Sequence, residues 1–173
     1  MTIRMPRYDL GAGCQVSIVA ITAPTAGGPN IVSTSYMNSA GVDSRAFQGT
    51  PTTGAAADAY AGRIIHSGIV AGRYGPFLPL QAGDTGVAMI NAFTLSGGVA
   101  YTGSGTLAVC IQRPLLDLSI PVTGMWSERD LVNQLPSLPQ VKDGACLVWL
   151  LGSAGATTNL SPLTFSIDFG WGG

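Results

Sequence analysis

The sequence predicts an all-β protein, specifically a single antiparallel β-sandwich of jelly-roll type. The chain has 24 glycines and 11 prolines among 173 residues, which favours many turns between short strands. Only 10% of the residues are charged, against about 25% in a typical soluble domain. Lysine and glutamate, which normally coat solvated helices, occur once each, as Lys142 and Glu128. An ordinary helical monomer is therefore not expected.

The strand pattern begins after residue 13. Residues 1–13 contain Pro6 and show no sustained periodicity, so we expect an N-terminal arm followed by one sandwich domain over residues 14–173. Residues 14–21 (CQVSIVAI) and 31–36 (IVSTSY) are rich in β-branched side chains, which predicts two strands. The intervening proline- and glycine-rich stretch predicts a loop.

Alternation of apolar and polar residues marks the later strands. Residues 81–86 (QAGDTG) predict a turn. One face of the strand that follows is expected to carry Val87, Met89, Phe93 and Leu95. The matching face of the next strand is expected to carry Leu107, Val109 and Ile111. Residues 163–169 (LTFSIDF) show the clearest period of two and predict a strand near the C-terminus.

Two further segments depart from simple alternation. Residues 145–151 (ACLVWLL) are apolar on both faces, which predicts a strand covered on both sides with Trp149 in the core. Residues 127–135 (SERDLVNQL) predict one short helix, because Ser127 can cap its N-terminus and acidic residues occupy its first turn.

The ionisable residues do not form a catalytic or metal-binding pattern. The single histidine, His66, cannot pair with adjacent Ser67, since neighbouring strand residues point to opposite faces. Asp84 could be a calcium ligand or catalytic acid, but its turn context favours an Asx-type turn stabiliser. Glu128 and Asp130 fit the first turn of the short helix better than a carboxylate pair. We therefore expect no enzyme activity, no cofactor and no metal.

Charge and hydropathy also limit the partners. The net charge is −1, so no basic field is present to bind a nucleic-acid backbone. The longest apolar run, residues 145–151, is far shorter than the roughly 20 residues that span a bilayer. Cys14, Cys110 and Cys146 are widely spaced in apolar segments, so we expect small buried side chains with free thiols.

Two places in the chain suggest contacts with other subunits. Arg4, Arg7 and Tyr8 lie in the arm, and arginine and tyrosine are both enriched at protein interfaces. Trp171 lies two residues from the end of the sequence, where a packed or subunit-buried position is more favourable than exposure to water. We take these four residues as candidate interaction residues. With 46% hydrophobic residues, the chain is expected to form an oligomer.

Several framework motifs carry a resemblance to a known class of proteins. They are residues 75–86 (GPFLPLQAGDTG), 113–115 (RPL), 128–131 (ERDL), 135–139 (LPSLP) and 167–172 (IDFGWG). With these motifs the chain resembles structural proteins of tailed-bacteriophage virions. The resemblance implies a β-sandwich virion component, first a head decoration (cement) protein and second a tail or fibre protein.

The resemblance leads to one main expectation and one alternative. The main expectation is a non-enzymatic capsid decoration protein, made in the host cytoplasm, that bridges capsid subunits on the outer phage head. Its partners would be copies of itself, as a homotrimer, and the major capsid protein or another virion protein. The alternative is a tail- or fibre-associated module that binds a receptor or carbohydrate.

Overall fold

A computed structural model of the chain describes residues 3–4, 9–22, 31–48, 61–62, 64–65, 76–95, 105–118, 141 and 144–150. Six strands lie in this part of the chain, and its helical content is a single 3-10 turn at Asp9–Gly11. The prediction of an all-β protein is confirmed for these residues. The predicted helix at residues 127–135 and the predicted strand at 163–169 lie outside the described residues. Within them, no helix is long and apolar enough to cross a membrane.

The strands form two antiparallel sheets. In the first sheet, β5 is central and pairs on one side with β1 and on the other with β3. In the second sheet, β2 is central and lies between β4 and β6. The strand bounds are β1 Ile3–Arg4, β2 Gln15–Thr22, β3 Ile31–Asn38, β4 Ile64–Ile65, β5 Val87–Leu95 and β6 Thr106–Gln112.

Side chains of both sheets meet in one hydrophobic core. Val16 and Ile18 of β2 are fully buried, as is Tyr36 of β3, whose ring stacks on Phe47 with 4.4 Å between centroids. The other buried members are Leu78, Val87 and Ile90. The half-buried residues of β6 that pack against this core are Leu107, Val109 and Ile111. The prediction that these three share one face is confirmed.

The inward face of β5 differs from the simple alternation expected for it. Its pairing with β3 skips Ala88 and Asn91, so each is an extra residue that bulges the strand. Each bulge shifts the alternation by one position, and the core therefore receives Val87, Ile90 and Phe93. The prediction for Met89 was wrong: it is half-buried and does not belong to the core cluster, whereas Ile90 is 5% exposed.

Residues 144–150 also differ from expectation. They belong to no strand, and the side chains of Leu147, Val148 and Trp149 are 45%, 65% and 55% exposed. The predictions of a strand covered on both sides and of Trp149 in the core were therefore wrong. A continuous apolar run has no period from which burial can be inferred, so its position depends on which other segments reach it.

The two sheets are joined by backbone contacts at the start of β2 and β5. The Gly13 amide donates to the Thr85 carbonyl, and the Val87 amide donates to the Cys14 carbonyl, both at 3.1 Å. Gly11 and Gly86 lie so close that a Cβ on Gly86 would be 2.2 Å from the Gly11 carbonyl oxygen. A Cβ on Gly11 would likewise lie 2.0 Å from the Val87 carbonyl oxygen, so glycine is required at both positions.

The core predicts a contrast between two isoleucines of β2. Ile18 is fully buried, while Ile21 is 52% exposed. Ile18→Ala should lower the free energy of unfolding by about 2–5 kcal/mol, because it removes transfer free energy and leaves a cavity. Ile21→Ala, the matched control, should change it by less than about 0.5 kcal/mol. Urea denaturation measures both values, and equal losses would contradict the described core.

Candidate functional site

The most strongly organised polar side chains surround Asp84. Asp84 lies in the predicted turn, where its amide donates to the Gln81 carbonyl at 3.0 Å and Gly83 takes a φ of +87°. The carboxylate is 3% exposed. Its partners come from the end of β3 and the following loop, and we refer to Tyr36, Asn38, Arg45 and Asp84 together as the Asp84 cluster.

The Asp84 carboxylate accepts four hydrogen bonds. The Tyr36 hydroxyl donates to Oδ2 at 2.6 Å, and the Asn38 amide nitrogen donates to Oδ1 at 2.7 Å. Arg45 binds both oxygens, from Nε to Oδ2 at 3.0 Å and from Nη2 to Oδ1 at 3.1 Å. A carboxylate has about four acceptor positions, so this one is fully used.

The donors are themselves held by backbone groups. The Tyr36 oxygen accepts a bond from the Gln81 amide at 2.9 Å. Asn38 Oδ1 accepts bonds from the amides of Ala40 and Val42 at 3.0 and 2.8 Å. The side chains of Tyr36 and Asn38 are therefore fixed before they reach Asp84. The cluster ties the end of β3, the loop after it and the turn before β5 into one unit.

The pKa values in the cluster follow from these bonds. Hydrogen bonds from Arg45, with further ones from Tyr36 and Asn38, lower the pKa of Asp84 to about 2. Burial raises the pKa of Tyr36 to about 12, and its bond to Asp84 acts in the same direction. Near neutral pH the carboxylate is ionised and the phenol protonated. With all acceptor positions used, Asp84 has no site left to bind a metal or take a substrate proton.

The structure changes the interpretation of Asp84. Its place in a turn is as predicted, but its carboxylate is not an Asx-type stabiliser of that turn, since its partners lie 39 to 48 residues away. Sequence analysis missed Tyr36, Asn38 and Arg45. No local pattern could have found them, because the cluster forms only when β3 pairs with β5.

The predicted interaction residues fall mostly outside the described residues. Arg4 lies in β1, opposite Met89 of β5, so this part of the arm is a strand at the edge of the first sheet. Arg7, Tyr8 and Trp171 are outside the described residues, as are His66, Glu128 and Asp130. Their roles stay predictions.

The cysteines are all free thiols, as predicted, but they are not equally buried. Cys14 is buried, Cys110 is half-buried and Cys146 is exposed. The expectation of three buried side chains was therefore wrong for Cys146, which lies in the exposed 144–150 segment. In the part of the chain that the structure describes, no three His, Cys, Asp or Glu side chains form a group that could hold a metal ion.

The Asp84 cluster predicts how stability depends on pH. The unfolded carboxyl has an ordinary pKa of 3.8, against about 2 when folded. The Asp84 carboxylate therefore stabilises the folded state above pH 4, and this stabilisation is lost as the pH falls towards 2. Asp84→Asn should be less stable at pH 7 and lack this acid-dependent loss. Urea denaturation at a series of pH values measures it.

Two variants serve as controls for the acid effect. Tyr36→Phe should keep most of the loss of stability in acid. The unmodified protein should also lose stability between pH 10 and pH 12, because the raised pKa of Tyr36 stabilises the fold only below that range, and Tyr36→Phe should lack this second loss. Asp43→Asn changes an exposed aspartate and should keep both the acid and the alkaline loss of stability. An Asp84→Asn profile parallel to that of the unmodified protein would refute the role of the carboxylate.

The exposure of the thiols predicts their order of modification. A water-soluble disulfide reagent should modify Cys146 first and Cys110 more slowly. It should reach Cys14 only on unfolding, because burial raises the pKa of that thiol and blocks access. Absorbance of the released thiol measures the phases, and Cys146→Ser should remove the fastest one. Rapid modification of Cys14 in the folded protein would contradict the structure.

Comparisons with known proteins do not assign a family. The chain matches no family model, no curated protein and no solved structure. A function for it therefore has to be inferred from its own residues and their geometry.

Proposed function

We propose that the chain is a non-enzymatic structural virion protein, a capsid decoration (cement) protein that binds the outer phage head and bridges capsid subunits. The virion context comes from the resemblance of residues 75–86 and the later framework motifs. The proposed partners are further copies of the chain, as a homotrimer, and the major capsid protein. No cofactor, nucleic acid or membrane takes part.

One observation carries the proposal of an assembly role, the exposed apolar run Leu147-Val148-Trp149. Each of these side chains is at least 45% exposed, in a chain of which only 10% is charged. Adjacent large apolar side chains in water are unfavourable unless a partner covers them. Tryptophan in particular is enriched where protein interfaces carry most of their binding energy. An assembly protein needs such a surface.

The pairing of the strands supports a single jelly-roll sandwich. Strands β2 and β6 pair in one sheet, while β3 and β5 pair in the other. The connection from β2 to β3 therefore crosses from the second sheet to the first, and the connection from β5 to β6 crosses back. A jelly roll has this nested arrangement, because it is a long antiparallel ribbon folded over a shared core. The core cluster drawn from all four strands supports the same proposal.

The Asp84 cluster supports a structural role for the most organised ionisable group. A carboxylate that acts as a general acid or base needs a free oxygen and works best with a pKa near the working pH. Asp84 has neither, because Arg45 and two further donors occupy its oxygens. The cluster contributes rigidity to the loop end of the first sheet, which suits a protein whose task is to hold its neighbours in place.

A charge placed in the apolar run tests the assembly role. Val148→Glu should weaken both the oligomer and its binding to capsids that lack the protein, because a buried glutamate would be desolvated without a partner. The matched control is Ile21→Glu, which alters a similarly exposed apolar side chain on β2 and should leave assembly unchanged. Light scattering coupled to size exclusion gives the mass, and cosedimentation with capsids gives the binding.

The outcomes separate the possible roles. A 17.7 kDa monomer at micromolar concentration, for the unmodified chain, would overturn the proposed oligomer. Negative-stain imaging of virions labelled at this protein separates head from tail. Label on the tail would reject the decoration role and favour the receptor-binding alternative.

A further inference from the structure

The N-terminal arm is attached through a strained residue. Leu10 has φ 48° and ψ 24°, a left-handed conformation that is unfavourable for a side chain with a Cβ. Burial does not compensate for this, since the Leu10 side chain is 59% exposed. Gly11 follows with a φ of +76°. Strain of this kind persists only where the surrounding structure imposes it.

The strained residue lies between two points at which the arm pairs with β5. Arg4 lies opposite Met89, and Ala12 lies opposite Gly86, both antiparallel to the same strand. Between these two points β5 advances by three residues and the arm by eight. Eight residues of the arm thus correspond to three of β5, and the left-handed Leu10 and Gly11 lie directly before Ala12, where the arm pairs with β5 again.

The two ends of this connection are held very differently. Gly11 is fixed, because a Cβ there would lie 2.0 Å from the Val87 carbonyl oxygen. The outer end is held by a β1 strand that pairs over two residues, Ile3 and Arg4. Exchange of such an element between identical chains is a low-cost route to an oligomer, and strain in the connection favours it.

From this geometry we infer that β1 exchanges between copies of the chain and pairs with β5 of a second copy. A second copy offers the same partners, Ile90 and Met89, so the pairing is regained without loss. Leu10 is then free to leave the left-handed region, and the surplus residues span the gap. The partner is a second copy of this chain, whatever larger assembly it joins.

Disulfide trapping tests the exchange directly. One chain carries Arg4→Cys and the other Met89→Cys; the two are unfolded together, refolded and oxidised. Directly opposite residues of antiparallel strands lie within disulfide range. A disulfide between positions 4 and 89 of different chains, identified by peptide mass spectrometry, is expected only if the arm of one copy lies on the other. Mass spectrometry also separates this product from links to the native cysteines.

Hinge variants make the test specific for strain. In the chain with both cysteines, Leu10→Gly should lower the ratio of inter-chain to intra-chain product about fivefold or more, because glycine takes the left-handed conformation freely. Leu10→Pro should raise the ratio, since proline cannot adopt this φ. Ser44→Gly is the control: it relieves a second left-handed residue, with φ 58°, in the loop after β3, and should leave the ratio unchanged.

Two results would overturn the inference. One is an exclusively intra-chain disulfide in the double-cysteine chain, with no product between the mixed chains. The other is a ratio that Leu10→Gly does not change. Circular dichroism verifies that each variant is folded. The Val148→Glu test of the proposed function does not involve the arm, so its result leaves the exchange untouched.

Discussion

The carboxylate of Asp84 is the constraint on which the described structure most depends. It is 3% exposed and ionised, so it is tolerated only because four donors replace the water it has lost. Those donors come from the end of β3 and the loop after it, and the acceptor comes from the turn before β5. Two adjacent strands are thereby joined at their ends, as well as along their ladder. Tyr36 links this polar cluster to the core, since its ring stacks on Phe47 while its hydroxyl binds Asp84.

The position of β5 follows from constraints at several points along it. At its start, Gly86 packs against the Gly11 backbone, and this close approach connects the first sheet to the chain entering β2. Further along, bulges at Ala88 and Asn91 turn Val87, Ile90 and Phe93 towards the same core. The arm then covers the outer edge of the strand through β1. Because β5 is involved in all of these contacts, the strain at Leu10 is best understood as a consequence of fitting the arm to a strand already fixed elsewhere.

The distribution of polar and apolar groups bears on the proposed role in assembly. The best organised charges of the described residues neutralise each other within the Asp84 cluster, while large apolar side chains remain exposed at residues 147–149. In the proposed role this apolar surface contacts neighbouring subunits, and the exchanged arm would add a second mode of self-association.

The sequence by itself determined the all-β class, the strands β2, β3, β5 and β6, the turn at residues 81–86 and the shared face of β6. These are local properties, set by β-branched content, alternation and glycine in turns over a few neighbouring residues. Only the tertiary structure decided the partners of Asp84, the bulges that place Ile90 rather than Met89 in the core, and the exposure of Trp149. Each depends on which distant segments meet: β3 has to pair with β5 before Tyr36 and Arg45 reach Asp84. An apolar run such as residues 145–151 has the same sequence pattern whether other segments cover it or leave it at the surface.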